Sequence, residues 1–146
     1  MAVDVTTSTV IRAPREAVAA YACDPDRAPD WYQNISSVEW QTGRPLRQGT
    51  RIAFVAQFLG RRLAYTYEVV ELVEGARLVM RTAEGPFPME TSYTFADAED
   101  GRTLMELRNR GEPRGFSRAL APVMKSAMRR ANEKDLAQLR GLLERR

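Results

Sequence analysis

The stretch Val10-Ile11-Arg12-Ala13-Pro14-Arg15-Glu16-Ala17-Val18 changes its hydrophobic period in the middle. Ahead of the change, Val3, Val5, Thr7, Thr9 and Ile11 recur at every second position, the spacing of a half-buried strand. Beyond it, Ala17, Val18 and Tyr21 make an apolar helical face. Pro14 suits the first turn of a helix, and Glu16 sits favourably near its positive end. Asp24-Pro25 caps a second short helix that reaches about Tyr32. The reading is one strand followed by two short helices in tandem.

Working outward, residues 35–110 read as strands separated by turns. Segment 38–41 closes at Gly43. Segment 51–59 sets Ile52, Phe54, Ala56 and Phe58 on one face. Gly60-Arg61-Arg62 turns the chain into 63–72, where Leu63, Tyr65, Tyr67 and Val69 share a face. Glu74-Gly75 leads into 78–82, and Gly85-Pro86-Phe87-Pro88 breaks the chain before 89–95. That segment carries Met89, Thr91, Tyr93 and Phe95 on one side. Asp100-Gly101 is a strong hairpin turn into 103–109, with Thr103, Met105 and Leu107 together. One apolar and one charged face per strand predicts an antiparallel sheet covered on one side. Residues 111–115 end the strands. About 116–143 reads as one long helix of period 3.6, with Phe116, Leu120, Met124, Met128 and Leu139 on its apolar stripe. Pro122 lies inside that pattern and should kink the helix or displace its start.

The order is therefore a strand, two short helices, about six strands and one long helix. Curling the sheet around the long helix buries every apolar face. This is an α+β fold of about seven strands in a single domain, 1–146, large enough for a real core.

Composition excludes much of catalysis. The chain has 22 Lys or Arg, 19 Asp or Glu, no histidine and one cysteine, Cys23. That removes Ser-His-Asp and Cys-His machinery, imidazole metal ligands, a disulfide framework and iron–sulfur clusters within one chain. No metal and no cofactor is expected. Cys23, with no histidine to activate it, reads as a buried structural thiol. The longest run without a charge is residues 52–60, too short to span a membrane. The start, Met1-Ala2-Val3-Asp4, lacks the basic and apolar character of a signal peptide. A cytoplasmic location is expected, and 20 arginines among 22 bases fit a GC-rich bacterial genome. Residues 114–146 hold 9 bases and 3 acids. These bases surround the polar arc of a helix without interleaved aromatics, so they read as its solvated back. Nucleic acid is not expected as a partner; a homodimer remains open.

Order and residues together resemble the START-like (SRPBCC) superfamily with the helix-grip fold. That superfamily includes the polyketide cyclase/dehydrase and lipid-transport family. The resemblance covers nearly the whole chain. It rests on the stretch quoted first, on Trp31 after Asp24-Pro25, and on Leu46-Arg47-Gln48-Gly49-Thr50. It rests further on Asp100-Gly101-Arg102-Thr103 and on Asp135-Leu136-Ala137-Gln138-Leu139-Arg140. The resemblance implies a cavity between the concave sheet face and the long helix, holding a lipid, polyketide or other apolar molecule. In some members, the aromatase/cyclases, that cavity folds and dehydrates a poly-keto chain.

Strand parity places Phe54, Phe58, Tyr65 and Tyr67 inward, with Met80, Tyr93, Phe95 and Met105 beside them. Phe116, Leu120, Met124 and Met128 face them from the helix. Aromatics with methionine make an adaptable apolar lining. The tyrosine hydroxyls are its polar handles, each needing a partner when buried. Trp31-Tyr32 falls near the expected mouth, as a gate or as a plug of the core. The Gly85-Pro86-Phe87-Pro88-Met89 loop resembles one in some aromatase/cyclases and makes Phe87 a portal candidate. Arg51, Arg77, Arg81, Arg108 and Arg110 fall on the outer face, as do Glu68 and Glu106. Asp135 lies near the apolar stripe; a salt bridge or a helix-edge position is the favoured reading, and a buried general acid the other.

Three functions stay open. The first is a binding protein for a small hydrophobic molecule, in which burying ~300 Å2 of ligand contributes several kcal/mol. The second is a cofactor-independent polyketide cyclase, aromatase or dehydratase. It would be supported by two tyrosine hydroxyls converging beside an arginine or a carboxylate. The third is a module whose core is filled by its own side chains, favoured if no cavity of a few hundred Å3 exists.

Overall fold

The computed structural model of the chain describes residues 3–112 and 120–145. Strand β1 (Val3–Ile11) precedes α1 (Arg15–Ala22), a 3-10 turn (Pro25–Arg27) and the single-turn α2 (Ala28–Trp31). Six strands follow: β2 (Ile35–Trp40), β3 (Arg51–Phe58), β4 (Arg61–Val73), β5 (Arg77–Glu84), β6 (Met89–Asp97) and β7 (Thr103–Gly111). Helix α3 (Ala121–Glu144) ends the chain. The strands form one antiparallel sheet in the order β1-β7-β6-β5-β4-β3-β2. The first strand therefore pairs with the last, Thr7 opposite Leu107, and the remaining neighbours are successive hairpins. This is the helix-grip arrangement.

Local chemistry fixes the ends of the elements. The Asp24 side chain accepts the Asp26 N–H at 3.0 Å and starts the 3-10 turn, as expected of a cap. Pro122 lies in the first turn of α3, where its missing donor is not needed. It sets the helix start. The predicted first turn, with Phe116, falls outside the described residues. The β3–β4 turn is Leu59-Gly60, with φ of 49° and 76°, while Arg61 and Arg62 already belong to β4. The turn thus comes one residue earlier than the Gly60-Arg61-Arg62 expected from the sequence. A two-residue hairpin loop wants positive φ at both positions to match strand twist, and Leu59 accepts that conformation. The β4–β5 pairing carries two register shifts, one with its extra residue on β5 (Ala83) and one with its extra residue on β4 (Val70). Such bulges bend a strand and deepen the curl of the sheet.

The curl closes on α3. Leu136, Leu139 and Leu143 of the helix join Ile11, Val18, Trp31 and Ile52 in the main core. A smaller cluster joins Val3 and Val5 to Met124, with Phe58 and Met128 against it. On the outer face the arginines pair as parity implies, Arg51 with Glu68 and Arg108 with Asp4. Glu90 is the exception to solvation there. It is buried under Arg81 and Arg110, which donate to it at 3.0 and 2.7 Å. Burial pushes its carboxyl up, and the two guanidinium groups more than offset this and hold it below the usual range.

Candidate functional site

A cavity of about 150 Å3 lies between the inner sheet face and α3. Its aromatic wall comes from alternate positions of β3 and β4. Phe54 stacks on Tyr65 with centroids 5.6 Å apart, and Tyr67 meets Tyr65 edge-on at 5.0 Å. Phe58, Met80, Tyr93 and Met128 complete the set of predicted residues that line it.

The other predicted residues that the structure describes are not brought to the cavity. Trp31 is 1% exposed and packs behind the wall, its ring 4.0 Å from that of Tyr32 and 5.8 Å from that of Tyr93. It is the plug of the core. Phe95 and Met105 face inward by parity but are covered by neighbouring core side chains. Phe87 is buried beside Gly111, so the Gly85–Met89 loop holds a plug and not a portal. Met124 serves the smaller cluster with Val3 and Val5. Leu120, at the exposed start of α3, faces solvent.

Two polar groups of side chains interrupt the apolar lining. In one, the Tyr67 hydroxyl meets Thr91 Oγ1 at 2.8 Å, and Thr91 donates to Asn109 Oδ1 at 2.7 Å. Thr91 has one hydroxyl proton, so Tyr67 is the donor of the first bond. Burial pushes its phenol up to about 12 despite that bond. Its hydroxyl is satisfied internally and does not need a ligand. Tyr65 is different: its hydroxyl has no partner among the described residues, and burial raises it well above its ordinary value. Replacing Tyr67 with phenylalanine is therefore expected to leave the affinity for an apolar ligand within about twofold, while lowering stability by about 1 kcal/mol. Calorimetric titration and a urea melt of the variant check both.

In the other, the hydroxyls of Tyr32 and Tyr93 lie 2.5 Å apart. Asp135 and Asn132 stand beside them on α3, 3% and 4% exposed. Asp135 Oδ1 accepts the Gln33 N–H at 3.0 Å and so ties the segment after α2 to the helix. No salt bridge to Asp135 exists among the described residues, and the side chain is buried. Burial pushes its carboxyl up to about 6, against the pull of the Gln33 N–H. Burial also raises Tyr32 and Tyr93, each hydroxyl further disfavoured as an anion by the Asp135 charge. Cys23, in the same wall, has its thiol pushed up to about 12 by burial, which leaves it inert at neutral pH.

The sequence reading missed Asn132 as a lining residue and gave Asp135 its lesser role. The signal was present: Met128, Asn132, Asp135 and Leu139 repeat at helical spacing, so both polar residues sit in phase with the buried stripe. Thr91 was in view as an inward residue of its strand. Asn109 had no signal of its own.

Among the described residues no helix is long and apolar enough to cross a membrane. A family model described as polyketide cyclase/dehydrase and lipid transport matches residues 2–144. No curated protein matches the chain. Among solved structures, a protein from Thermus thermophilus superimposes with a TM-score of 0.81 at 23% identity, covering 94% of both chains. A START superfamily protein from Mycobacterium smegmatis gives 0.81 at 17% identity over 97% of both chains. An aromatase/cyclase from Streptomyces gives 0.81 at 19% identity, over 98% of this chain and 94% of that one. At these identities the likeness establishes the shared fold.

Proposed function

The chain belongs to the polyketide cyclase/dehydrase and lipid-transport family, and on that footing we propose that it binds a hydrophobic molecule of about one ring in the cavity between sheet and helix. The observation that carries this reading is a space of about 150 Å3 whose lining is mostly apolar and includes aromatic and methionine side chains. An apolar cavity of that size holds benzene, while drug-sized sites begin at roughly 300 Å3. The size argues against a whole poly-keto chain and against a core filled by its own side chains. A one-ring molecule buries about 200 Å2, close to a phenylalanine side chain. At ~25 cal/mol per Å2 that is a gross gain of about 5 kcal/mol. Loss of translational freedom offsets part of it, so dissociation constants fall in the high-micromolar to millimolar range.

A thermal-shift series tests the reading. Toluene and ethylbenzene at millimolar concentration are expected to raise the melting temperature, and a three-ring hydrocarbon is not. Binding of the three-ring compound alone would show a larger site. No shift with any of them would leave a core filled by side chains.

One observation favours a second reading, turnover of a small keto compound. Two tyrosine hydroxyls meet beside a carboxyl that titrates at about 6. Such a group can take and return a proton near neutral pH.

A further inference from the structure

Helix α3 brings two polar side chains with spare hydrogen-bonding capacity to the cavity wall. Asn132 and Asp135 are three residues apart, so their Cβ atoms lie about 5–6 Å apart on one face. The Asn132 side chain is 4% exposed, and its Nδ2 has no hydrogen-bond partner among the described residues. Asp135 engages Gln33 through Oδ1, and its Oδ2 has no partner among the described residues. Buried polar groups are ordinarily satisfied, and an exception points to a water, an ion or a ligand. The Tyr32 and Tyr93 hydroxyls bond to each other, and among the described residues neither makes a hydrogen bond to Asn132 or Asp135.

We propose that Asn132 and Asp135 anchor the polar group of the ligand, and that the cavity selects a neutral one-ring molecule bearing a hydroxyl, a phenol or a ring enol, over the plain hydrocarbon. A hydroxyl oxygen does both things this pair requires. It donates its proton to Asp135 Oδ2 and accepts the Asn132 N–H through a lone pair. The ring then lies against Phe54 and Tyr65. A ligand carboxylate would place a second anion beside Asp135. A ligand ammonium would pair with Asp135 and leave the Asn132 donor without an acceptor. The inference rests on the reading that the cavity takes a one-ring molecule.

Calorimetric titration at pH 8 with p-cresol, toluene, benzoate and benzylamine tests it. The wild type is expected to bind p-cresol about tenfold more tightly than toluene, the advantage of a hydrogen bond to a charged group, and to bind benzoate and benzylamine more weakly than p-cresol. Asn132→Leu and Asp135→Asn, which differ little in volume from the native side chains, are expected to reduce the p-cresol advantage to threefold or less with toluene affinity unchanged. If Asn132→Leu fails to fold, the nearly isosteric Asp135→Asn decides. Equal binding of toluene and p-cresol by the wild type overturns the proposal and leaves the one-ring reading standing. So does a p-cresol advantage that survives both substitutions, or a preference for benzylamine. Binding of neither hydrocarbon nor phenol removes the one-ring reading, and the proposal with it.

Discussion

Replacing Asp135 with asparagine is expected to stabilise the protein at pH 7.5, by about 1–2 kcal/mol, and to raise its melting temperature by several degrees. Burial raises this carboxyl from the usual 3.8 to about 6 in the folded protein. A carboxyl raised on folding favours the protonated native state. Its stabilising effect is complete below about 3.8 and is lost as pH rises through about 6. Above that pH the native state holds a carboxylate that water would solvate better. The full difference corresponds to about 3 kcal/mol, and water reaching the cavity screens about half of it. Asparagine keeps an oxygen for the Gln33 N–H and carries no charge. The gain should therefore shrink toward zero as the melts are repeated from pH 7.5 down to pH 4. A loss of stability at pH 7.5 would show that the Asp135 charge is compensated in the folded state. A residue whose charge costs stability at working pH fits a role in binding and not in holding the fold.

Trp31→Ala is expected to cost about 3–5 kcal/mol, the range for truncating a fully buried large aromatic residue. Trp31 is 1% exposed, and its ring supports Tyr32 and Tyr93 from behind. Its removal opens a space next to the cavity and frees the Tyr32–Tyr93 hydroxyl pair to separate. Trp31→Phe keeps part of the packing and removes an indole N–H that has no partner among the described residues. It should lose less than half as much. Urea unfolding of both variants measures this. A loss under 1 kcal/mol for Trp31→Ala would show that Trp31 is not the plug of the core, and would return it to the gate reading.

The fold was legible because each element announces itself locally. The change of period at Pro14, the alternation in β3 and β4, and the hairpin at Asp100-Gly101 each restrict the backbone with little help from distant residues. The cavity was legible only in part. Parity tells which side of the sheet Phe95 and Met105 face, and they do face inward. It does not tell where along the strand the helix lies close and where it stands off. That depends on the curl introduced at the bulges between β4 and β5 and on where Pro122 starts α3. Asp135 and Asn132 were underread for a different reason. A charged or amide residue beside an apolar stripe is ordinarily solvated, and here the segment after α2 lies across it, with the Gln33 N–H taking one carboxylate oxygen.

The central claim is that the space between sheet and helix is a binding site for one ring. Ala56 shares an inward face with Phe54 and Phe58 and lines the cavity, so Ala56→Phe places a ring of the protein's own in that space. Titration calorimetry of toluene into the wild type and Ala56→Phe tests the claim directly. Saturable binding to the wild type and none to a variant that melts at or above the wild-type temperature is the predicted result. Equal binding to both proteins, or no binding to the wild type, would contradict it.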